Sequence, residues 1–292
     1  MGVTINGVKL LFYAQRQGAK FSKTLMLGRQ QLFVKRKEAE WIQQKFGIPS
    51  HNLSGEFAEP LFKVLGADTV DSMDYSDFEK ATIIHDLNRP VGSQWETKFS
   101  VVFDGGTLEH VFNFPVAIKN CMDMLCVGGH FISLTPSNNY CGHGFYQFSP
   151  ELFFAIFNET HGFKIKLIAL GVEQPLKGIE EWFEVKDPAN VEGRVTVRNS
   201  FPTSLLIIAE KIKDTRTMEL HPFQSDYSRT WTIHESKGQL LKEGPKWIHY
   251  YRRWAPAFLK NIIRRVIGFS GKQKNVEGLG MVNPEFFTKM DI

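Results

Sequence analysis

Seven short apolar runs, each broken off by glycine, proline or a polar residue, set the tightest limit on how this chain can fold. They are KTLMLG, ADTVDSMD, ATIIHDL, FSVVFDGG, GHFISLTP, FKIKLIALG and TSLLIIAEK. Each has the length of a strand, and several are apolar almost throughout, as strands buried on both faces are. Helical spacing of apolar residues separates them over Lys35 to Phe46, Glu56 to Leu65, Phe114 to Cys126 and Pro150 to Thr160, and a further helix over Ile5 to Gln17 stops at Gly18. This alternation predicts an α/β domain with a mostly parallel central sheet. The last two runs are joined by a long stretch, Gly171 to Pro202, with no convincing helix, which predicts an antiparallel final strand reached through a surface excursion. The expected organisation is an N-terminal helical segment over 1–22, the α/β domain over 23–213, and an extension over 214–292 that stays outside the sheet.

Composition agrees with a chain that buries a sizeable core. Of 292 residues, 42% are hydrophobic and 23% charged, which argues against disorder. A formal net charge of +4 is too small to imply a nucleic-acid partner. Cys121, Cys126 and Cys141 form neither a zinc spacing nor an even disulfide set, so structural thiols in a reducing compartment are expected. The first twenty residues lack the basic start, apolar core and cleavage site of a leader, and no apolar run approaches the length of a membrane span. The expectation is a cytoplasmic protein.

One segment departs from this average. KWIHYYRRWAPAFLKNIIRRVIGFSGKQK, Lys246 to Lys274, holds eight lysines or arginines and no acid, with Trp247, Tyr251, Trp254, Phe258 and Ile262 at helix-like spacing. Two readings stay open: a helix lying on anionic lipid, which would make the protein membrane-peripheral, or a helix pair packed on the main domain with a solvated basic face.

Polar chemistry gathers at the strand ends. Gly28, Arg29 and Gln30 close the first strand, Asp74 the second, His85 and Asp86 the third, Asp104 to His110 the fourth, and Thr135 to Asn139 the fifth. In doubly wound sheets ligands bind at the carboxyl ends of parallel strands, where loops form a crevice and helix N-termini point their dipoles into it.

The order of VDSMD, IIHDLN, FDGGTLEHVFN and MLCVGGHFISLTP resembles the class I S-adenosylmethionine-dependent methyltransferases, in particular the group whose fourth strand leads into a leucine-glutamate-histidine segment. The resemblance covers roughly Thr24 to Lys211 and implies a Rossmann-like fold with S-adenosylmethionine as cofactor. It implies that Asp74 accepts hydrogen bonds from the cofactor ribose, that Asp86 receives the adenine amine while Leu87 covers the ring, and that Asp104, Gly105 and Gly106 border the methionine end. The residues themselves leave alternatives open: a helix cap for Asp74, an Asx turn for Asp86, and service to a helix N-terminus for Glu109 and His110. The first strand departs from the family pattern. It offers LMLGRQQLF, keeping Gly28 but placing Arg29, Gln30 and Gln31 where further small residues would let a cofactor pass; either Arg29 or Gln30 touches the cofactor carboxylate in a rebuilt pocket, or cofactor binding is lost.

The loop after the fifth strand, TPSNNYCGHGFYQFSPELF, supplies candidate acceptor contacts in Asn138, Asn139, Tyr140, Tyr146 and Gln147. His143 is the candidate base for a hydroxyl acceptor and His110 the second; the alternative for His143 is a loop histidine bonded to backbone. Cys141 with His143 falls short of a metal-ligand set, so no metal is expected. Methyl transfer to a hydroxyl or amine of a small molecule, such as a sugar or glycan precursor, is the leading expectation. A non-catalytic binding or assembly module of the same fold is the second, and a nicotinamide-dependent oxidoreductase, lacking the glycine fingerprint, the third.

Overall fold

The computed structural model describes residues 2–47, 55–174, 179–191, 195–215, 222–225 and 273–291. Most of the basic aromatic segment between Lys246 and Lys274, and with it the choice between lipid contact and packing, lies outside the described residues. Among the described residues no helix is long and apolar enough to cross a membrane.

The chain opens with β1 (Gly2–Thr4) and α1 (Ile5–Arg16), then β2 (Lys23–Leu27), β3 (Gln31–Phe33), α2 (Arg36–Phe46) and α3 (Glu59–Val64). It continues through β4 (Thr69–Asp74), β5 (Ile83–Ile84), β6 (Phe99–Asp104), α4 (Phe114–Met124), β7 (Leu125–Asn138) and α5 (Pro150–Ile156). The remaining elements are β8 (Phe163–Gln174), β9 (Ile179–Val185), β10 (Val197–Arg198), β11 (Thr203–Lys211), β12 (Lys274–Val276), β13 (Gly280–Val282) and β14 (Phe287–Lys289).

Nine strands form the main sheet in the order β14-β9-β8-β11-β7-β6-β2-β4-β5. The pairs among β5, β4, β2, β6 and β7 are parallel, whereas β11 inserts antiparallel between β7 and β8. Strand β2 sits at the centre of the parallel half, with β4 on one side and β6 on the other. The chain therefore reverses its direction of winding next to β2, and the crevice of a doubly wound sheet opens at such a place. This is a Rossmann-like α/β fold with an antiparallel late strand, as the alternation of apolar runs predicts.

Side-chain alternation feeds two cores. Leu25, Leu27, Val102 and Phe131 face one side with Ile118 and Met122 of α4 and Phe153 of α5. Met26, Val101, Phe103 and Ile132 face the other with Leu10 and Leu11 of α1, Ile42 of α2 and Phe62 of α3. Helix α2 begins where Glu38 folds back to accept the Lys35 N–H at 2.7 Å, and stops at Gly47, whose φ of 72° an L side chain would resist. Helix α5 ends sooner than the apolar spacing suggests, because the Asn158 carboxamide oxygen accepts the His161 N–H (3.0 Å) and the His161 ring bonds the Ile156 carbonyl (2.8 Å), turning the chain into Gly162.

Two features differ from expectation. The excursion after β8 turns straight back as β9, antiparallel to it. The end of the chain is also not confined to the exterior: β14 pairs antiparallel with β9 and extends the main sheet, while β12 and β13 form a small sheet with β10. Strands of two or three residues carry too few side chains for a period of two to be read from sequence.

Lys211, at the end of β11, is 1% exposed. Its Nζ donates to the carbonyls of Met122 (3.2 Å) and Leu125 (2.9 Å), which end α4, and lies 3.0 Å from Asp214 Oδ1. A buried ammonium thus satisfies acceptors that the helix cannot satisfy itself. Replacing it, Lys211→Met, strands those carbonyls and is expected to cost about 2–4 kcal/mol, read as a lower urea midpoint with an unchanged slope.

Candidate functional site

The turn after β2 is built differently from a bare glycine loop. Gly28, at φ 66°, donates its N–H to the Met73 carbonyl (2.7 Å), tying the tips of β2 and β4. Arg29 then leans away: Nε meets Glu59 Oε1 at 2.6 Å, Nη1 donates to the Glu79 carbonyl at 3.0 Å, and the guanidinium lies 3.9 Å over the Phe57 ring. Gln30 is wholly buried; Nε2 donates to Leu27 O (2.5 Å) and Thr107 Oγ1 (3.3 Å). Both side chains are engaged by the protein itself. One is engaged with Glu59 and Phe57, and the other braces β2 against the turn after β6.

The acidic strand tips divide into two kinds. Asp74 is half-buried, and among the described residues its carboxylate receives a long contact from the Ser76 N–H (3.4 Å). Asp86 forms the Asx turn: Oδ1 accepts from the Asn88 N–H (3.0 Å) and side-chain amide (2.8 Å), and these bonds hold its pKa below the usual carboxylate range, while Oδ2 lies 3.7 Å from Arg89. Leu87 turns inward and joins the core. Asp104, by contrast, is fully enclosed. Its Oδ1 accepts the N–H groups of Thr107 (2.8 Å) and Leu108 (3.3 Å), its Oδ2 the Ser133 hydroxyl (2.7 Å), and burial pushes its pKa upward against these bonds. Asp104 therefore organises the turn that carries Gly105 and Gly106.

Those two glycines open onto a cavity of about 1240 Å³ beside the carboxyl ends of β6 and β7. Glu109, His110, Thr135, Tyr140 and His143 line one wall; Ile5, Asn6 and Lys9 of α1 and Lys37 and Trp41 of α2 line another, with Glu173, Glu180 and Ser204 nearby. Gly28, Arg29, Gln30, Asp74 and Asp86 are not among the lining residues.

At the acidic pole stands Glu109, which carries no exposed surface. Its Oε2 accepts the Thr135 hydroxyl at 3.1 Å. Its Oε1 lies 3.3 Å from His143 Nε2, without the alignment of a hydrogen bond, and has no other partner. Burial, then the charge of Asp104, raises its pKa to about 8. The His110 ring sits 5.1 Å from that of His143, and burial followed by repulsion from His143 lowers its pKa. Sequence reasoning placed Glu109 at a helix N-terminus; the turn Leu108–His110 instead directs it inward.

The loop after β7 docks on this turn through Phe145 and Tyr146, whose N–H groups reach the Glu109 carbonyl at 2.7 and 3.2 Å. Gly144 permits the approach: at φ 72°, a Cβ there would lie 2.8 Å from that carbonyl. Of the expected acceptor contacts only Tyr140 reaches the cavity. Its hydroxyl donates to Glu173 (3.0 Å), and burial raises its pKa. Asn138 and Asn139 bond Asn199, Asn139 also bonds the Phe201 carbonyl, Tyr146 bonds the Phe112 carbonyl, and Gln147 accepts the Tyr140 N–H. These four hold the loop's shape. Two further acids that line the cavity, Glu173 and Glu180, lie where no spacing singled them out.

No family model matches the chain, and no curated protein matches it. Solved structures similar to it include a putative methyltransferase from Bacillus halodurans (12% identity, covering 70% of this chain and 99% of that one, TM-score 0.40). Others are the 1,6-didemethyltoxoflavin-N1-methyltransferase of Burkholderia thailandensis (11%, 70% and 77%, 0.40) and the N-methyltransferase NodS of Bradyrhizobium japonicum in complex with S-adenosylhomocysteine (13%, 71% and 87%, 0.38). The Rossmann-like assignment itself stands on the strand order and the two helical layers.

Glu180 gives the cavity a measurable signature. It accepts Asn6 Nδ2 (3.0 Å), Trp182 Nε1 (2.8 Å) and Ser204 Oγ (3.3 Å), yet burial raises its pKa from 4.5 to about 7. The unfolded chain releases this proton first, so the group's contribution is full below about pH 4.5 and is lost as pH rises towards 7. The stability difference between wild type and Glu180→Gln should therefore shift in favour of the variant by about 1–3 kcal/mol across that window, as urea titrations at pH 4.5 and pH 8 would show.

Proposed function

We propose that this chain is an S-adenosylmethionine-dependent methyltransferase acting on a hydroxyl or amine of a small polar molecule. The observation that carries the reading is the Glu109–His143 approach of 3.3 Å on the wall of a large cavity, beside the bare Gly105–Gly106 turn at the carboxyl edge of the sheet.

The adenosine half of the cofactor fits what the strand tips offer. Asp74 keeps acceptor capacity for a vicinal diol, and Asp86 keeps Oδ2 for an exocyclic amine. The methionine half finds less, since Arg29 is paired and Gln30 and Asp104 are enclosed; the Gly105–Gly106 turn on the cavity wall is what remains for it. When bound, the cofactor supplies an electrophilic methyl group. The protein's own part is to align the acceptor and receive its proton: His143 is half-exposed to the cavity, with its Nε2 3.3 Å from Glu109 Oε1.

The cavity also bears on the acceptor. Asn6, Lys9, Glu173, Glu180 and Ser204 bring hydrogen-bonding groups around a space that Trp41 and Phe33 also line. Such a mixture suits a hydroxylated ring, which keeps a sugar or glycan precursor as the acceptor class. The support comes from these residues, because most of the loop that first suggested it does not line the cavity.

The Arg29–Glu59 tie favours a second reading, a binding or assembly module that keeps the fold without the reaction. Calorimetry separates the two. The enzyme binds S-adenosylmethionine and S-adenosylhomocysteine, and Asp74→Ala weakens both by about tenfold or more, the loss of about 1.4 kcal/mol or more expected for charge-assisted bonds to the ribose. A folded protein that takes up neither compound at millimolar concentration is the module; one that binds NADH instead is the oxidoreductase.

A further inference from the structure

We propose that Glu109, His110 and His143 form a site for one divalent transition-metal ion on the cavity wall. One ligand atom from each of the three lies within 4.8 Å of the others. Two observations lift the cluster above a chance gathering. Glu109 is 0% exposed, yet among the described residues its Oε1 has no hydrogen-bond partner, and it faces His143. A buried carboxylate oxygen left so is costly unless something positive meets it. The second observation is spacing: the 3.3 Å between Oε1 and His143 Nε2 is about the edge of a tetrahedron with metal–ligand bonds of ~2.0–2.1 Å.

The surroundings fit the same purpose. Thr135 donates to the other oxygen of Glu109 at 3.1 Å and fixes the plane of the carboxylate, as outer partners of metal ligands do. Gly106, at φ 96°, leaves the space beside Oε1 clear; a Cβ there would stand 3.1 Å from that oxygen. Both imidazoles border the cavity. Two imidazoles with one carboxylate form a donor set for zinc, iron, cobalt or nickel, and an unsuitable one for magnesium or calcium, which take oxygen ligands. Three protein ligands leave at least one position towards the cavity, as catalytic sites do.

The inference deepens the proposed acceptor site. An oxygen of the acceptor would take the open position, and the ion would make its proton easier to lose to water. With the ion bound the histidines would act as ligands, and the proton-accepting role assigned above to His143 would pass to water.

The test uses untagged full-length protein, stripped with chelator and titrated with Co²⁺ and Zn²⁺ in the absence of cofactor and acceptor. One ion per chain is expected, with visible Co²⁺ absorption that Zn²⁺ abolishes. His110→Ala and His143→Ala should each weaken Zn²⁺ binding by more than about 100-fold, and Thr135→Ala by about tenfold, since outer partners are worth about 10–100-fold. His85→Ala, at the tip of β5, should leave it unchanged. Both site histidines are half-exposed or better, so their variants should fold, which thermal melts verify; the buried Glu109→Gln is a supporting variant only. Equal Zn²⁺ uptake by wild type and the His110→Ala/His143→Ala double variant overturns the proposal, as does displacement of Zn²⁺ by an equal concentration of Mg²⁺. Failure to bind S-adenosylmethionine leaves this result standing, and absence of metal leaves cofactor binding standing.

Discussion

A single buried carboxylate holds the site together. Asp104 sits at the tip of β6 with no access to water and spends both oxygens on neighbours: two backbone N–H groups of the following turn and the Ser133 hydroxyl of β7. Those bonds fix where the chain reverses, and so fix Gly105, Gly106 and the inward aim of Glu109. Ser133 pairs opposite Asp104 in the sheet register, so the acid also clamps the two strands whose ends form the cavity wall. Thr107 carries the clamp further, reaching the Leu27 carbonyl at 2.7 Å and meeting Gln30. Three adjacent strand tips are thereby joined through one polar knot under the site. Such a knot is well ordered because each enclosed polar group that lost its partner would be left unsatisfied in a low-dielectric interior.

The cavity depends on an element of a second kind. Strand β1 pairs with β3 outside the main sheet, and the N-terminal turn of α1 follows it directly. This places Ile5, Asn6 and Lys9 opposite the Glu109 wall, with Asn6 bonded to Glu180 across the space. The N-terminal segment is thus part of the cavity lining, and the chain between Gly28 and Asp74 carries β3, α2 and α3 on its way from β2 to β4.

Much of the fold was legible because it rests on patterns that sequence displays. Continuous apolar runs such as FSVVF become central strands with Val102 in one core and Val101 and Phe103 in the other. Helix ends at Gly18 and Gly47 followed from backbone conformations that only glycine takes easily. The site was less legible, for reasons that differ from residue to residue. The acids at strand tips were found, but whether an acid faces a ligand or its own turn depends on which N–H groups the next three residues present, and Asp104 and Asp86 both turned to their own backbone. Asn138, Asn139 and Gln147 looked like ligand contacts because side chains that bond ligands also hold loops. Glu109 was set aside as helix chemistry; its neighbour His110 was the only nearby hint, and the packing of Gly144 on Glu109 that encloses it joins residues far apart in sequence. Glu180 gave no signal at all, since an acid in GIEEWFEV reads as a solvated strand residue.

The pairing of β14 with β9 bears on how the molecule behaves among its own copies. Unpaired strand borders invite other chains to add to them. On one side the sheet finishes in β5, two residues long and too short to template an addition. On the other, β9 is longer and would offer Phe183 to Val185 to any passing strand were Phe287 to Lys289 not already seated there. Phe287 to Lys289 thus cover the border of β9, and without them Phe183 to Val185 would lie open to addition by another strand.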